Sequence, residues 1–385
     1  MEKNQAIHLT GLNGLRAIAS MAVVFSHISL ALPLFGLAPL FTDALGNPKG
    51  ILMASHGVTI FFALSGFLIT FLLLKEKEKQ KINIQHFYIR RALRIWPLYY
   101  LFIAVLTATY FVFGIEFNEK LVPFYIFLAA NIPIIINSML PYMGHLWSIA
   151  VEEQFYLFWP WIGKFDNKKL FKFAVVFAAI FYIIKFFLYV FRDDNVTLSL
   201  LLTAMNVTRF HIMIIGAIGA IFYYNKSKWI AYFINRKTQV ISWSIIALSA
   251  LNIFNISSAL IDSEIIAITT VMIIFSQIMR KNMIIDLDKL IFNFLGKISY
   301  GVYVIHPLLI FLVYKIFGEF DHSSFVNYIL LYGVIILATI ILAYISYTYF
   351  ERPFIKLKQK FTSIRSSPYL KSSPTGRKKF GLPPS

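Results

Sequence analysis

The chain has 385 residues, of which 58% are hydrophobic and 14% charged, and its mean hydropathy is +0.70. A soluble domain is closer to half apolar and a quarter charged, so the composition indicates a membrane protein. The absence of cysteine excludes disulfide bonds, a catalytic thiolate and cysteine-ligated zinc. A net charge of +18 suits nucleic-acid binding, but the basic residues are distributed as expected for a membrane surface. We therefore predict membrane lipids as partners, no nucleic acid and no metal.

A helix that crosses the hydrocarbon core needs about 20 mostly apolar residues. In chain order this criterion predicts about ten spans, at residues 12–36, 54–74, 95–114, 145–163, 171–191, 209–224, 239–256, 261–279, 294–317 and 326–349. The first span is too long for a signal peptide and lacks a small-residue cleavage site, so we expect it to be retained. The prediction is an all-α polytopic membrane protein. It has one transmembrane domain over residues 1–360 and a polar tail, expected to be disordered and cytoplasmic, over residues 361–385.

A further apolar run, at residues 121–140, is interrupted by Pro123, Asn131, Pro133 and Asn137. Proline disrupts the helical hydrogen-bond ladder. If this run does not span and the N-terminus is cytoplasmic, most basic loop residues fall on the inner side, as the positive-inside rule requires. We therefore expect a re-entrant or surface segment on the outer side. Both termini are then cytoplasmic in a multi-pass protein of the cell inner (plasma) membrane.

The first predicted span contains two ionisable residues, Arg16 and His27. Eleven residues are about three helical turns, so the two side chains lie on nearly one face, roughly 16 Å apart. Arg16 is predicted near the cytoplasmic end and His27 in the outer half. Ionisable groups at membrane depth are costly and usually face a cavity, which favours a functional role. A snorkelling arginine and a packed, hydrogen-bonded histidine are the structural alternatives.

A second polar stripe lies in the stretch GHLWSIAVEEQFYLFWPW, at residues 144–161. His145, Ser148 and Glu152 recur at steps of three and four residues and therefore share one helix face. Glu153 lies about 100° round the helix from Glu152.

We place Glu152 at a depth comparable to that of His27. A histidine and a carboxylate that meet in a low-dielectric cavity form a general-base pair. Alternatively, Glu152 and Glu153 lie at the interface, near a helix N-terminus that favours anions.

A third polar feature is HFYIRRALRIWPLYY, at residues 86–100, which we assign to the first large cytoplasmic loop. Arg91 and Arg94 share a helix face, with Arg90 alongside. Arginine side chains suit phosphate groups, so this cluster predicts a docking site for a phosphorylated cofactor. Anchoring on anionic lipid is the alternative.

The penultimate predicted span carries Ser299, Tyr303 and His306 on one face. A functional site and a polar packing seam between helices both explain this pattern. Earlier in the chain, Ser65 and Gly66 predict a close helix approach. A nucleophilic role for Ser65 is disfavoured because the sequence shows no base near it.

Taken together and in this order, these stretches resemble the acyltransferase family 3 membrane proteins, which include O-antigen and exopolysaccharide O-acetyltransferases. The resemblance covers roughly residues 9–355 and rests on the arginine–histidine pair of the first span, FFALSGF, RRALR, HLWSIAVEEQFYLFWP, SYGVYVIHP and FERP. One departure is Asn13, where the family often has an aspartate that could pair with Arg16. We expect no SGNH-hydrolase extension.

The resemblance implies a membrane O-acyltransferase. Such a protein moves an acyl group, commonly acetyl, from cytoplasmic acyl-CoA to a hydroxyl of a cell-surface or lipid-linked glycan outside. Acetyl-CoA is then a co-substrate, and no cofactor is permanently bound. The predicted site comprises catalytic His27 and Glu152, the acyl-CoA-binding arginines Arg16, Arg90, Arg91 and Arg94, and the substrate-binding residues His145, Ser148, Glu153, Tyr303 and His306.

Two questions stay open at the level of sequence. His27 could act as a base in direct transfer or carry the acyl group as an acyl-histidine. A secondary transporter of a polar or anionic substrate, or a membrane scaffold or receptor, is an alternative to an enzyme. The lack of an inverted repeat and the position of the arginine cluster argue against the transporter.

Overall fold

The computed structural model describes residues 9–42, 53–193, 195–254, 256–257 and 260–362. The predicted tail lies outside the described residues, apart from its first two. The described chain is built from α-helices and contains no β-strand. Its α-helices are α1 (Leu12–Ala31), α2 (Met53–Lys79), α3 (Ile84–Phe113), α4 (Val122–Ile126), α5 (Asn131–Ile135), α6 (Trp147–Ile162), α7 (Asn167–Phe191), α8 (Val196–Thr208), α9 (Phe210–Tyr224), α10 (Ile230–Phe233), α11 (Arg236–Ala250), α12 (Asp262–Met279), α13 (Leu290–Phe317), α14 (Phe325–Ile345) and α15 (Arg352–Lys358).

Eight helical segments among the described residues are long and apolar enough to cross a membrane. These are Leu12–Phe35, Met53–Lys79, Ile84–Phe113, Asn167–Phe191, Val196–Tyr224, Asp262–Met279, Leu290–Phe317 and Phe325–Phe361. The chain is therefore an all-α polytopic membrane protein, as predicted.

The remaining two predicted spans correspond to α6 and α11, which have 16 and 15 residues and fall short of the usual spanning length. Helix α8 was not predicted. It joins α9 through Arg209, whose backbone is left-handed at φ 42°, to form one of the eight long segments.

The apolar run at residues 121–140 does not form a transmembrane helix. It folds into α4 and α5, each of five residues, which is about 8 Å of helix. Between them Leu128 has a left-handed backbone, and Asn137 follows α5 with another. The run therefore does not cross the membrane as one helix, as its proline and asparagine residues predict.

Helix α3 begins earlier than the sequence suggests. The Asn83 side chain caps its N-terminus by accepting a hydrogen bond from the His86 backbone N–H. The arginine cluster therefore lies within the first eleven residues of a long helix, so the segment before the predicted span is helical and continuous with it. The cap gives the physical reason, because it stabilises helix formation before the apolar run starts.

Small residues bring the central helices into close contact. A Cβ atom on Gly66 of α2 would lie 1.8 Å from the Met213 carbonyl oxygen of α9. A Cβ atom on Gly296 of α13 would lie 2.1 Å from the Asn13 carbonyl oxygen of α1. The predicted close approach at Gly66 is therefore present, and larger side chains at either glycine would separate the helices.

A buried ion cluster joins α7, α9 and α12. The Lys185 ammonium lies 2.7 Å from the Glu264 carboxylate, and Nε2 of His211 lies 2.8 Å from the same oxygen. The Lys185 and His211 side chains are 2% exposed and that of Glu264 is 10% exposed. Charges at this depth are tolerated because they are paired, so the cluster fixes how these three helices pack.

Candidate functional site

A cavity of about 340 Å³ lies among α1, α2, α3, α6, α13 and α15. Its lining includes five basic side chains and one carboxylate, that of Glu152. The basic residues are Arg16, Arg91, Arg94, Lys297 and Lys358. This excess of positive charge favours an anionic ligand. Lys297 and Lys358 were missed as site residues, although Lys297 is an ionisable residue inside the predicted span 294–317.

Arg16 projects from α1 into this cavity. Its guanidinium donates a hydrogen bond to the Asn13 side-chain oxygen at 3.2 Å. The Asn13 amide in turn donates to the Asn293 side-chain oxygen of α13, also at 3.2 Å. A neutral amide thus orients Arg16 where an aspartate would neutralise it, and the positive charge of Arg16 stays available to a ligand.

The three arginines of α3 divide into two groups. Arg91 and Arg94 line the cavity, over the Tyr156 ring at 5.0 Å and the Tyr300 ring at 5.9 Å. Arg90 does not line the cavity, because its guanidinium is paired with the buried Glu76 carboxylate at 2.9 Å. The predicted phosphate-binding cluster therefore reduces to Arg91 and Arg94 on the cavity wall.

The two neighbouring glutamates of α6 have different surroundings. Glu152 lines the cavity and accepts hydrogen bonds from the Ser65 hydroxyl at 2.7 Å and the Tyr156 hydroxyl at 3.3 Å. Glu153 faces Trp96, whose indole N–H donates to its carboxylate at 2.9 Å. Ser65 thus has a carboxylate partner that the sequence did not reveal, because Ser65 and Glu152 are 87 positions apart.

Three predicted site histidines form a cluster in the structure. Nδ1 of His27 lies 2.8 Å from Nε2 of His306, and the two ring centroids are 4.9 Å apart. The His145 ring packs against His306 at 5.3 Å, and Nε2 of His145 contacts the Val304 carbonyl oxygen at 3.0 Å. These residues come from α1, from the turn before α6 and from α13.

The expected His27–Glu152 pair is not formed. Among the described residues no hydrogen bond or ion pair joins them, and His27 is instead paired with His306. The error has a physical cause. The sequence places both residues at a similar depth, but which helix faces meet depends on how α1, α6 and α13 are packed.

Tyr303 connects the histidine cluster to the cavity. Its hydroxyl lies 2.6 Å from the Ser148 hydroxyl and 2.8 Å from the His145 carbonyl oxygen, to which it donates. Tyr303 and Ser148 line the cavity, and the Tyr303 ring lies 5.5 Å from the His145 ring. His27, His145 and His306 are not among the residues that line the cavity, and the Tyr303 side chain lies between the cavity and the His145 ring.

This arrangement can bind an anion and present a proton acceptor. The basic end suits phosphate groups, and a neutral imidazole suits general-base or nucleophilic chemistry. In the part of the chain that the structure describes, no group of three or more histidine, aspartate or glutamate side chains could hold a metal ion.

Comparison with known proteins identifies the relatives of this chain. A family described as an acyltransferase domain matches residues 9–348. The O-acetyltransferase OatA of Staphylococcus aureus strain NCTC 8325 is 24% identical over 383 residues, covering 91% of this chain and 57% of the relative. The peptidoglycan O-acetyltransferase OatA of Listeria monocytogenes strain EGD-e is 32% identical over 169 residues, covering 40% of this chain and 24% of the relative.

A third relative, from S. aureus strain MRSA252, is provisionally named an O-acetyltransferase and is 27% identical over 388 residues. That alignment covers 94% of this chain and 59% of the relative, so the chain spans less than two thirds of this relative. No solved structure matches the chain.

Proposed function

The chain belongs to the acyltransferase family whose domain matches residues 9–348, and from this premise we propose that it is a membrane O-acyltransferase. It transfers an acyl group, with acetyl as the favoured case, from cytoplasmic acyl-CoA to a hydroxyl of a cell-surface or lipid-linked glycan. The acceptor lies on the opposite side of the plasma membrane, and both termini are cytoplasmic. The names of the relatives, one of which acts on peptidoglycan, support acetyl as the group and a glycan as the acceptor class.

The observation that carries this proposal is the basic cavity whose wall includes Tyr303, the side chain that packs against the histidine cluster. Acyl-coenzyme A is a polyanion with phosphates at one end and a thioester at the other. Arg91 and Arg94 would bind the phosphates, and Arg16 would bind a phosphate or the pantetheine arm. The thioester would then approach Tyr303 and His27.

In the direct route, His27 acts as the general base. Its imidazole takes the proton from the acceptor hydroxyl while the hydroxyl oxygen bonds to the thioester carbonyl carbon. The carbon–sulfur bond then breaks, and the imidazolium returns the proton to the departing thiolate. The products are the O-acyl glycan and free coenzyme A. In the acyl-histidine route, a ring nitrogen of His27 bonds to the thioester carbonyl carbon and the carbon–sulfur bond breaks. The hydroxyl oxygen then bonds to that carbon, the carbon–nitrogen bond breaks, and the hydroxyl proton passes to the thiolate.

The test measures thiol release from acetyl-CoA by purified protein and acetylation of the surface glycan by NMR of the acetyl methyl group. His27→Ala should lower transfer about 10²–10⁴-fold, the usual effect of losing a general base. Donor binding should be retained, because the phosphates bind at the basic end. His27→Gln should be no better, since an amide cannot take the proton.

The adjacent glutamates provide a matched pair. Glu152→Gln should impair transfer more than Glu153→Gln. Glu152 lines the cavity, whereas the Glu153 carboxylate accepts a hydrogen bond from the Trp96 indole and does not line the cavity. Acetylation close to wild type in His27→Ala would refute the catalytic role of His27. A larger defect in Glu153→Gln than in Glu152→Gln would assign the functional carboxylate to the other helix face.

A further inference from the structure

The hydrogen bonds around His306 determine which nitrogen of each ring carries a proton. Nδ1 of His306 lies 3.2 Å from the Val302 carbonyl oxygen, one turn earlier on α13. A carbonyl oxygen only accepts hydrogen bonds, so Nδ1 of His306 is the donor in this contact. In a neutral imidazole the other nitrogen is then an acceptor. Nε2 of His306 therefore presents a lone pair.

That lone pair faces His27. Nδ1 of His27 lies 2.8 Å from Nε2 of His306, and a hydrogen bond at this distance needs one donor. Because Nε2 of His306 accepts, Nδ1 of His27 donates. The remaining nitrogen of His27, Nε2, then carries a lone pair that the contact with His306 does not use.

We infer that His306 is a positioning residue for the transfer reaction, which fixes His27 as the tautomer with a free Nε2 lone pair. This inference rests on the proposed function of His27. In other general-base sites a carboxylate orients the histidine. Here the imidazole of His306 takes that place, and the Val302 backbone carbonyl fixes its orientation. A free lone pair is needed whether His27 takes a proton or attacks the thioester.

Burial supports the assignment. His306 is 0% exposed, and it lies inside α13, so its ring cannot turn away without breaking the helix packing. The His145 ring lies against it at 5.3 Å. His145 donates from Nε2 to the Val304 carbonyl oxygen, which keeps this third ring from competing for Nε2 of His306. Backbone carbonyl oxygens of one helix, α13, therefore hold both His306 and His145 in place.

The first experiment reads the tautomer in the unmodified protein. In a sample with ¹⁵N-labelled histidine, the His27 signals are assigned by their loss in His27→Gln. Nδ1 of His27 should show the chemical shift of a protonated ring nitrogen, and Nε2 that of an unprotonated one. A protonated Nε2 and an unprotonated Nδ1 would overturn the inference. Because the spectrum is recorded on the unmodified protein, misfolding of a variant could not explain that result.

The second experiment compares two replacements of His306. His306→Phe keeps a ring of similar size but provides no acceptor, whereas His306→Gln provides a carbonyl oxygen within similar reach. We expect His306→Phe to lower kcat about 10–100-fold. Loss of the hydrogen-bond partner of a metal-binding histidine has an effect of this size in other proteins. His306→Gln should recover much of this loss. The KM for acetyl-CoA should change little in either variant, because the phosphates bind elsewhere.

His322→Gln serves as the control, because His322 is exposed on the loop between α13 and α14 and should leave kcat unchanged. Wild-type kcat in His306→Phe would overturn the positioning role. Equal losses of kcat in His306→Phe and His306→Gln, with an unchanged His27 tautomer, would also overturn it. If His27→Ala is inactive but His306→Phe is fully active, only the positioning role fails. If His27→Ala is active, the proposed role of His27 itself fails.

Discussion

Removing Arg91 and Arg94 together should abolish tight donor binding while leaving the protein folded in the membrane. Both line the cavity, where they provide two of its five basic side chains. A hydrogen bond to a charged group contributes about 1.5–3 kcal/mol. Two such contacts with phosphate amount to at least about 3 kcal/mol. Since every 1.4 kcal/mol is a factor of ten, the double Arg→Ala variant should bind acetyl-CoA at least about a hundredfold more weakly.

Arginine to glutamine changes at the same two positions separate charge from packing. Arg91 and Arg94 lie over the Tyr156 and Tyr300 rings, so alanine also removes contacts with these aromatic side chains. Glutamine keeps part of the side chain but carries no charge. If phosphate binding dominates, the alanine and glutamine variants should lose similar affinity.

Arg90→Ala is the matched control on the same helix. Arg90 is paired with Glu76, which is 3% exposed, and does not line the cavity. Its loss should therefore destabilise the fold, because the buried Glu76 carboxylate loses its partner. The affinity of the folded protein for acetyl-CoA should change by less than about threefold. The corresponding free energy is smaller than that of one hydrogen bond to a charged group.

The assay is isothermal titration calorimetry of acetyl-CoA into purified protein, with thermal unfolding measured in parallel. Unchanged donor affinity in the double variant would refute the role of this cavity in phosphate binding. It would assign Arg91 and Arg94 to lipid anchoring. An equal loss of affinity in Arg90→Ala would show that the effect comes from the fold of α3 rather than from the cavity.

The remaining predictions concern topology, the buried ion cluster and the link between the cavity and the histidines. A cysteine that replaces Lys168 should resist an impermeant thiol reagent in intact cells and react after permeabilisation. A cysteine that replaces Asp321 should react under both conditions. Strong labelling at position 168 in intact cells would refute the proposed orientation. Lys185→Met should destabilise the protein by about 3–5 kcal/mol in reversible unfolding, because the buried Glu264 carboxylate loses its ammonium partner and keeps only the His211 contact, and adding Glu264→Gln should recover part of the loss. A double variant less stable than the single one would contradict this. Tyr303→Phe loses the hydroxyl that bonds to Ser148 and to the His145 carbonyl oxygen. If one or two bonds of about 1 kcal/mol are needed in the transition state, transfer should slow roughly 5–30-fold with unchanged donor affinity, and wild-type rates would exclude a role for the hydroxyl.

The sequence by itself determined the class of the protein and the position of most helices. Long apolar runs can satisfy their backbone in a membrane only as helices or closed barrels, so composition and run length were enough to predict an all-α polytopic protein. The prolines and asparagines of residues 121–140 together predicted that this run is interrupted, whereas the single prolines Pro97 and Pro307 are accommodated inside α3 and α13. Helical spacing placed Arg91 with Arg94, and it separated Glu152 from Glu153, because a single helix fixes which residues share a face.

Only the tertiary structure decided which faces meet. His27 pairs with His306, 279 positions away, rather than with Glu152, and Glu152 pairs with Ser65. Each pairing depends on the rotation and axial position of one helix relative to another, where one residue shifts a side chain by about 100° and 1.5 Å. The spacing of residues along one helix carries no information about how that helix is rotated or shifted relative to its neighbour. That arrangement is set by contacts such as Gly296 against the α1 backbone, which bring α1 and α13 close enough for His27 and His306 to bond.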